Sequence, residues 1–131
     1  MTDKKLQGAG LRGQSAGETA LCTVGKTGSG LTYRGYDIKV LAEKAKFEEI
    51  AFLLIYGKLP NSTELENYKN KLCSLREIPE ALKQALELIP AESHPMDVMR
   101  TGCSVLGNLE TEIDFSEQFE KADRIVALLP S

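Results

Sequence analysis

At 131 residues the chain has the size of one ordinary domain and can bury a real core. Its 16 basic and 19 acidic residues leave a net charge of -3, spread along the chain, a balance that gives no support for a nucleic-acid partner. The longest apolar run, residues 50–56, is far too short to span a bilayer.

The N-terminus carries two lysines with no apolar segment after them, so no secretory signal is expected. Cys22, Cys73 and Cys103 are odd in number and widely spaced. Without a CxxC or a Cys/His pairing they read as reduced, buried thiols of a cytoplasmic protein rather than as metal or redox centres.

Residues 1–18 are polar and glycine-rich and are expected to form a flexible leader to a single unit over 19–131. Gly8, Gly10 and Gly13 match the GxGxxG spacing. That fingerprint needs a buried strand before it and a helix after it, and a polar leader and Gln14-Ser15-Ala16-Gly17 stand there instead. Residues 19–24, TALCTV, are short and β-branched, and residues 31–34 resume an extended pattern after a glycine-rich stretch; together they predict a β-hairpin. The intervening Gly25-Lys26-Thr27 echoes a phosphate loop, but Ala20 stands where that loop needs a glycine. A plain turn is the better reading.

From Asp37 the apolar period lengthens to that of a helix. Asp37 is the expected cap of a short helix with Ile38, Leu41 and Ala42 on one face. A second helix starts near Phe47, with Glu48 and Glu49 facing its dipole, and stops at Gly57. Its core, residues 50–55, is apolar nearly all round, which marks a helix buried on most sides or waiting for a partner surface.

Asn61 and Glu64 fit a capping box ahead of a helix with Leu65, Tyr68, Leu72 and Leu75 inward. Pro79 opens the next, with Leu82, Ala85, Leu86 and Ile89 inward, and Pro90 ends it. Ser93 or His94 is expected to cap a further helix whose inward face is Met96, Met99, Cys103 and Leu106. His94, the only histidine, invites an acid–base role; beside a helix-start proline, a cap or packing role is the better reading. Ser116 is expected to cap a last helix with Phe119, Ala122, Ile125, Val126 and Leu129 on one side. That apolar side persists to Pro130-Ser131, which suggests a chain that was cut. The predicted fold is therefore mainly α, an irregular multi-helix array behind a small N-terminal β-hairpin.

Three blocks resemble the citrate synthase family in their order: LTYRGYDI at 31–38, FEEIAFLLIYGKLP at 47–60 and HPMDVMRTGCSVLG at 94–107. The wording at 16–38 and 93–102 is more similar to the 2-methylcitrate type than to the respiratory type. The resemblance runs from about residue 11 to the C-terminus and covers only the first third of a family enzyme. It implies a nearly all-helical homodimer that condenses an acyl-CoA with oxaloacetate. In the methylcitrate type, propionyl-CoA gives 2-methylcitrate and CoA, and in the respiratory type acetyl-CoA gives citrate. The acyl-CoA is a substrate, so no cofactor is implied.

The family chemistry needs an aspartate base, a histidine stabilising the enolate and a second histidine at the oxaloacetate carbonyl, with arginines clamping carboxylates. In the family all these residues lie beyond the region covered here, and the HPM helix holds no catalytic histidine. The resemblance thus implies a chain with no catalytic residue, inactive alone. It offers one ligand contact, Arg12, where some members place an arginine near the CoA phosphates of the neighbouring subunit; an ordinary surface arginine is the competing reading. A complete, non-catalytic helical interaction protein of the same descent stays open as the alternative function.

Overall fold

The computed structural model describes residues 17–25 and 30–131. Three short strands, β1 (Cys22–Val24), β2 (Leu31–Tyr33) and β3 (Tyr36–Asp37), lead into α1 (Ile38–Lys44) and α2 (Phe47–Tyr56). Then follow α3 (Ser62–Ser74), α4 (Glu80–Glu87), α5 (Pro95–Leu109), a 3-10 turn (Phe115–Glu117) and α6 (Gln118–Leu128). The mainly helical class with a small β element is as expected.

The hairpin has a third strand that the sequence reading missed. β1, β2 and β3 form one antiparallel sheet, with Thr23 opposite Thr32 and Tyr33 opposite Tyr36. Arg34 and Gly35 join β2 to β3 in two residues, both at positive φ (49° and 90°), the geometry a tight hairpin turn demands. A non-glycine residue there costs backbone energy. The Arg34 side chain offsets this by donating from Nη2 to the Leu54 carbonyl, 3.0 Å away, placing a cation at the C-terminal end of α2.

Local signals set most helix ends. Asp37 caps α1 by accepting from the Lys39 amide. Asn61 and Glu64 form the expected reciprocal capping box of α3. Gly57 ends α2 in the left-handed region at φ 85° while its N–H bonds to the Leu53 carbonyl. A Cβ there would meet nothing nearer than Arg34 Cζ at 4.0 Å, so strain rather than collision opposes a side chain. Gly57→Ala is expected to cost about 1–2 kcal/mol, read as a lower urea midpoint at unchanged slope.

The last helix departs from expectation at its start. Asp114, not Ser116, is the cap: its carboxylate accepts from the Ser116 amide at 2.7 Å and opens a 3-10 turn that runs into α6. Aspartate is as good a cap as serine, and moving the start upstream explains the shift.

Two core clusters share α6 as a wall. Ala51, Tyr68, Leu72 and Ala127 join α2 and α3 to one side of it, and Leu82, Leu106 and Leu128 join α4 and α5 to the other. On α1 Leu41 is buried, but Ala42 is exposed. On α2 Leu53 is completely buried, whereas Phe47, expected at the start of a buried helix, is 65% exposed.

Candidate functional site

Asp123 is the only buried charged residue among the described ones, and no solvent reaches it. Burying a bare carboxylate is prohibitive, so it must be paired and hydrogen-bonded. Three donors converge on it from two other helices. The Tyr56 hydroxyl of α2 donates to Oδ2, the Tyr68 hydroxyl of α3 donates to Oδ1 at 2.9 Å, and Lys71 Nζ donates to Oδ2 at 2.6 Å. The tyrosines sit in an aromatic group: Tyr68 meets Phe52 edge-on at 5.2 Å and Tyr56 stacks on Phe119 at 5.7 Å.

Burial, then the bond to Asp123, raises the ionisation of both tyrosine hydroxyls above the ordinary value. For Lys71 burial opposes the charge, but the bonds to Asp123 and Tyr56 outweigh it and hold the ammonium more firmly than usual. Each group is thus fixed in one protonation state near neutral pH. The carboxylate is closed to solvent and faces three donors of its own chain. The cluster ties α2, α3 and α6 together.

A second tie lies one residue along. Arg124 makes a bidentate pair with Glu110 (Nη2 to Oε1 at 2.6 Å, Nε to Oε2 at 3.0 Å), while Nη1 donates to the Leu75 and Glu77 carbonyls. The bond from Arg124 holds the Glu110 carboxyl below its ordinary value. The guanidinium reaches both the α3–α4 connection and the end of α5, with four of its five N–H donors engaged inside the chain.

His94 is the cap of α5, with Nδ1 accepting from the Met96 amide at 3.2 Å. Its helix-cap reading holds; no carboxylate, thiol or hydroxyl among the described residues bonds to it. Among the described residues, no group of three His, Cys, Asp or Glu could hold a metal ion. No helix there is long and apolar enough to cross a membrane. Arg12, the glycine triplet at 8–13 and residues 26–29 of the predicted turn lie outside the described residues.

The expected inward faces of α5 and α6 need correction. Of Met96, Met99, Cys103 and Leu106 only Leu106 is buried; Met96 is 68% and Met99 40% exposed. Cys73 and Cys103 are exposed and Cys22 is half-buried, all with free thiols, so the expectation of buried cysteines fails. On α6 the buried positions are Asp123, Ala127 and Leu128, while Phe119, Ile125 and the C-cap Leu129 are 41–45% exposed. Met99, Cys103, Ile125 and Leu129 line a cleft of about 180 Å³ between α4, α5 and α6, with Leu86 and Leu106 among its other walls. Helices α4 and α5 approach closely at Gly102, where a Cβ would touch Leu86 Cδ2 at 3.6 Å.

Known proteins share this fold. The family model described as "Citrate synthase, C-terminal domain" matches residues 10–131. The chain belongs to the citrate synthase family. The 2-methylcitrate synthase of Shewanella oneidensis is 67% identical over 98% of this chain, which spans 34% of that relative. The citrate/2-methylcitrate synthase of Bacillus subtilis is 34% identical over 98% of this chain and 35% of its own. Among solved structures, the citrate synthase of Thermotoga maritima superimposes with a TM-score of 0.77 at 36% identity, covering 93% of this chain and 32% of that one. That of Thermoplasma acidophilum, solved as a ternary complex with carboxymethyl coenzyme A and oxaloacetate, gives 0.79 at 27% identity, over 89% and 32%. This citrate synthase family chain therefore spans about a third of the length of the relatives it matches.

Proposed function

We propose that the chain is the N-terminal scaffold of an enzyme condensing an acyl-CoA with oxaloacetate, with propionyl-CoA giving 2-methylcitrate and CoA. The observation that carries the proposal is the 67% identity to a 2-methylcitrate synthase over nearly the whole chain. Acetyl-CoA, giving citrate, is the corresponding substrate of the respiratory type. The intact enzyme is proposed to be a cytoplasmic homodimer, and Arg12 a contact to the CoA phosphates of the neighbouring subunit.

The chain alone is proposed to be inactive. Its single histidine caps α5 through Nδ1, and the buried Asp123 faces three donors of its own chain. The two residues are not brought together, so the described residues assemble no acid–base pair of the kind an α-carbon condensation needs. What the residues supply is a rigid frame on which later elements can be placed.

The test uses a chimera in which this chain replaces the matching third of the Shewanella oneidensis enzyme. CoA release from propionyl-CoA and oxaloacetate is expected from the chimera and not from the 131-residue chain. Turnover by the chain alone, or a folded chimera that releases no CoA, would overturn the assignment. In the active chimera, Arg12→Ala is expected to raise KM for propionyl-CoA and leave kcat unchanged, the pattern of a lost ground-state contact.

A further inference from the structure

The polar ties of the chain divide on α6 between two neighbouring residues. Asp123 faces α2 and α3, where Tyr56, Tyr68 and Lys71 bond to it. Arg124 serves the other side: it bonds to the Leu75 and Glu77 carbonyls ahead of α4 and to Glu110, the C-cap of α5. Lys121 adds a bond to the Glu110 carbonyl at 3.0 Å. Both ends of the α4–α5 hairpin are thus gripped from α6. Between those ends the grip is absent. Among the described residues, the side-chain hydrogen bonds and ion pairs of residues 78–109 all stay within that segment.

The apolar packing divides along the same line. The two core clusters have no residue in common, and α6 gives a single buried side chain, Leu128, to the one it forms with α4 and α5. The cleft between α4, α5 and α6 lies on that seam, so the α4–α5 hairpin meets α6 with fewer partner atoms than a closed core provides.

We infer that the chain is built as two cooperative units, a fixed α2–α3–α6 body and an α4–α5 hairpin that opens as one piece, with Arg124 as its latch. Opening breaks the Arg124 and Lys121 bonds and the Leu82–Leu106–Leu128 contact, and it leaves the Asp123 cluster whole. Supersecondary motifs are the usual units of such partial opening. The inference goes beyond the scaffold reading and does not depend on it.

Amide hydrogen exchange of the 131-residue chain, with closing faster than exchange, reads the two openings separately. After correction for intrinsic rates, the best-protected amides of α4 and α5 are expected to exchange at least about tenfold faster than those of α2 and α3. Two variants then act differently on this gap. Lys71→Met removes a tie that survives opening of the α4–α5 hairpin, so it closes the gap. It is expected to speed exchange in α2 and α3 by about a hundredfold, and in α4 and α5 by at least about tenfold less. Arg124→Met removes a tie that is lost in both openings, so it speeds both sets by one common factor and keeps the gap. Glu110→Gln is expected to keep it likewise, and carries the test should Arg124→Met fail to fold. Equal acceleration of both sets by Lys71→Met makes the chain a single unit and overturns the inference. Unequal acceleration by the latch variants overturns it too, as does a parent chain with no gap, a reversed gap or no protected amides.

Discussion

Lys71→Met is expected to destabilise the chain by about 3 kcal/mol, the lower end of the range for removing one partner of a buried ion pair. The lower end applies because the Lys71 side chain is itself 41% exposed while Asp123 is fully buried. The lysine loses little by returning to water, and the cost is the carboxylate left behind with two tyrosine hydroxyls. Asp123→Asn in the same background removes that stranded charge. The double variant is therefore expected to be no less stable than Lys71→Met alone, a coupling of about 2 kcal/mol in a double-mutant cycle. Urea unfolding of the four proteins measures it, and additive losses would show that Lys71 and Asp123 do not act as a pair. Against a total stability of about 5–15 kcal/mol, this one cation decides much of the margin.

The same cluster fixes the alkaline limit. The ionisations of Tyr68 and Lys71 are raised above their ordinary values of 10.0 and 10.5. Groups raised on folding bind protons more tightly in the native state, so their contribution is complete below those ordinary values and is lost as pH rises through the raised ones. Stability is expected to be flat up to about pH 10 on this account and to fall beyond it. In Lys71→Met the lysine's share of that alkaline slope disappears.

The sequence made the frame legible because local chemistry sets it. Asp37, Asn61 with Glu64, and Gly57 are caps whose side chain or φ acts within a few residues, and each sits where the pattern placed it. The turn at Arg34-Gly35 was harder: arginine has no preference for positive φ, and the bonds that hold it there, from its N–H to the Leu21 carbonyl and from its side chain to the distant Leu54 carbonyl, are tertiary. Asp123 was missed for a similar reason. A carboxylate between Phe119 and Ala127 at intervals of four looks like an error in an apolar stripe. Its partners Tyr56, Tyr68 and Lys71 lie on two other helices, and their convergence is a tertiary fact. One signal was available: Tyr68 and Lys71 are three apart, on one face of α3, and an acid opposite such a pair can be buried. The faces of α5 and α6 failed differently. Their periodicity correctly marked apolar surface, but periodicity cannot say whether the surface is covered by this chain.

Arg124→Met is expected to cost about 3 kcal/mol at neutral pH, through lost charge-assisted bonds to Glu110 and the stranding of the Leu75 and Glu77 carbonyls. Its pH dependence separates the two contributions. The Glu110 carboxyl is held below its ordinary value of 4.5, first by the bond from Arg124. A group depressed on folding stabilises the native state fully above its ordinary value and loses that contribution as pH falls through the lowered one. The gap between the parent chain and Arg124→Met should then be constant above about pH 5 and narrow steadily in more acid solution. It should not close, because the two carbonyl bonds do not titrate. Urea midpoints at pH 7, 4 and 3, taken at equal ionic strength, read this out. A gap independent of pH would mean that the carbonyl bonds carry the whole effect and that the bidentate pair with Glu110 contributes nothing. Arg124 would then tie α6 to the α3–α4 connection alone, through the Leu75 and Glu77 carbonyls.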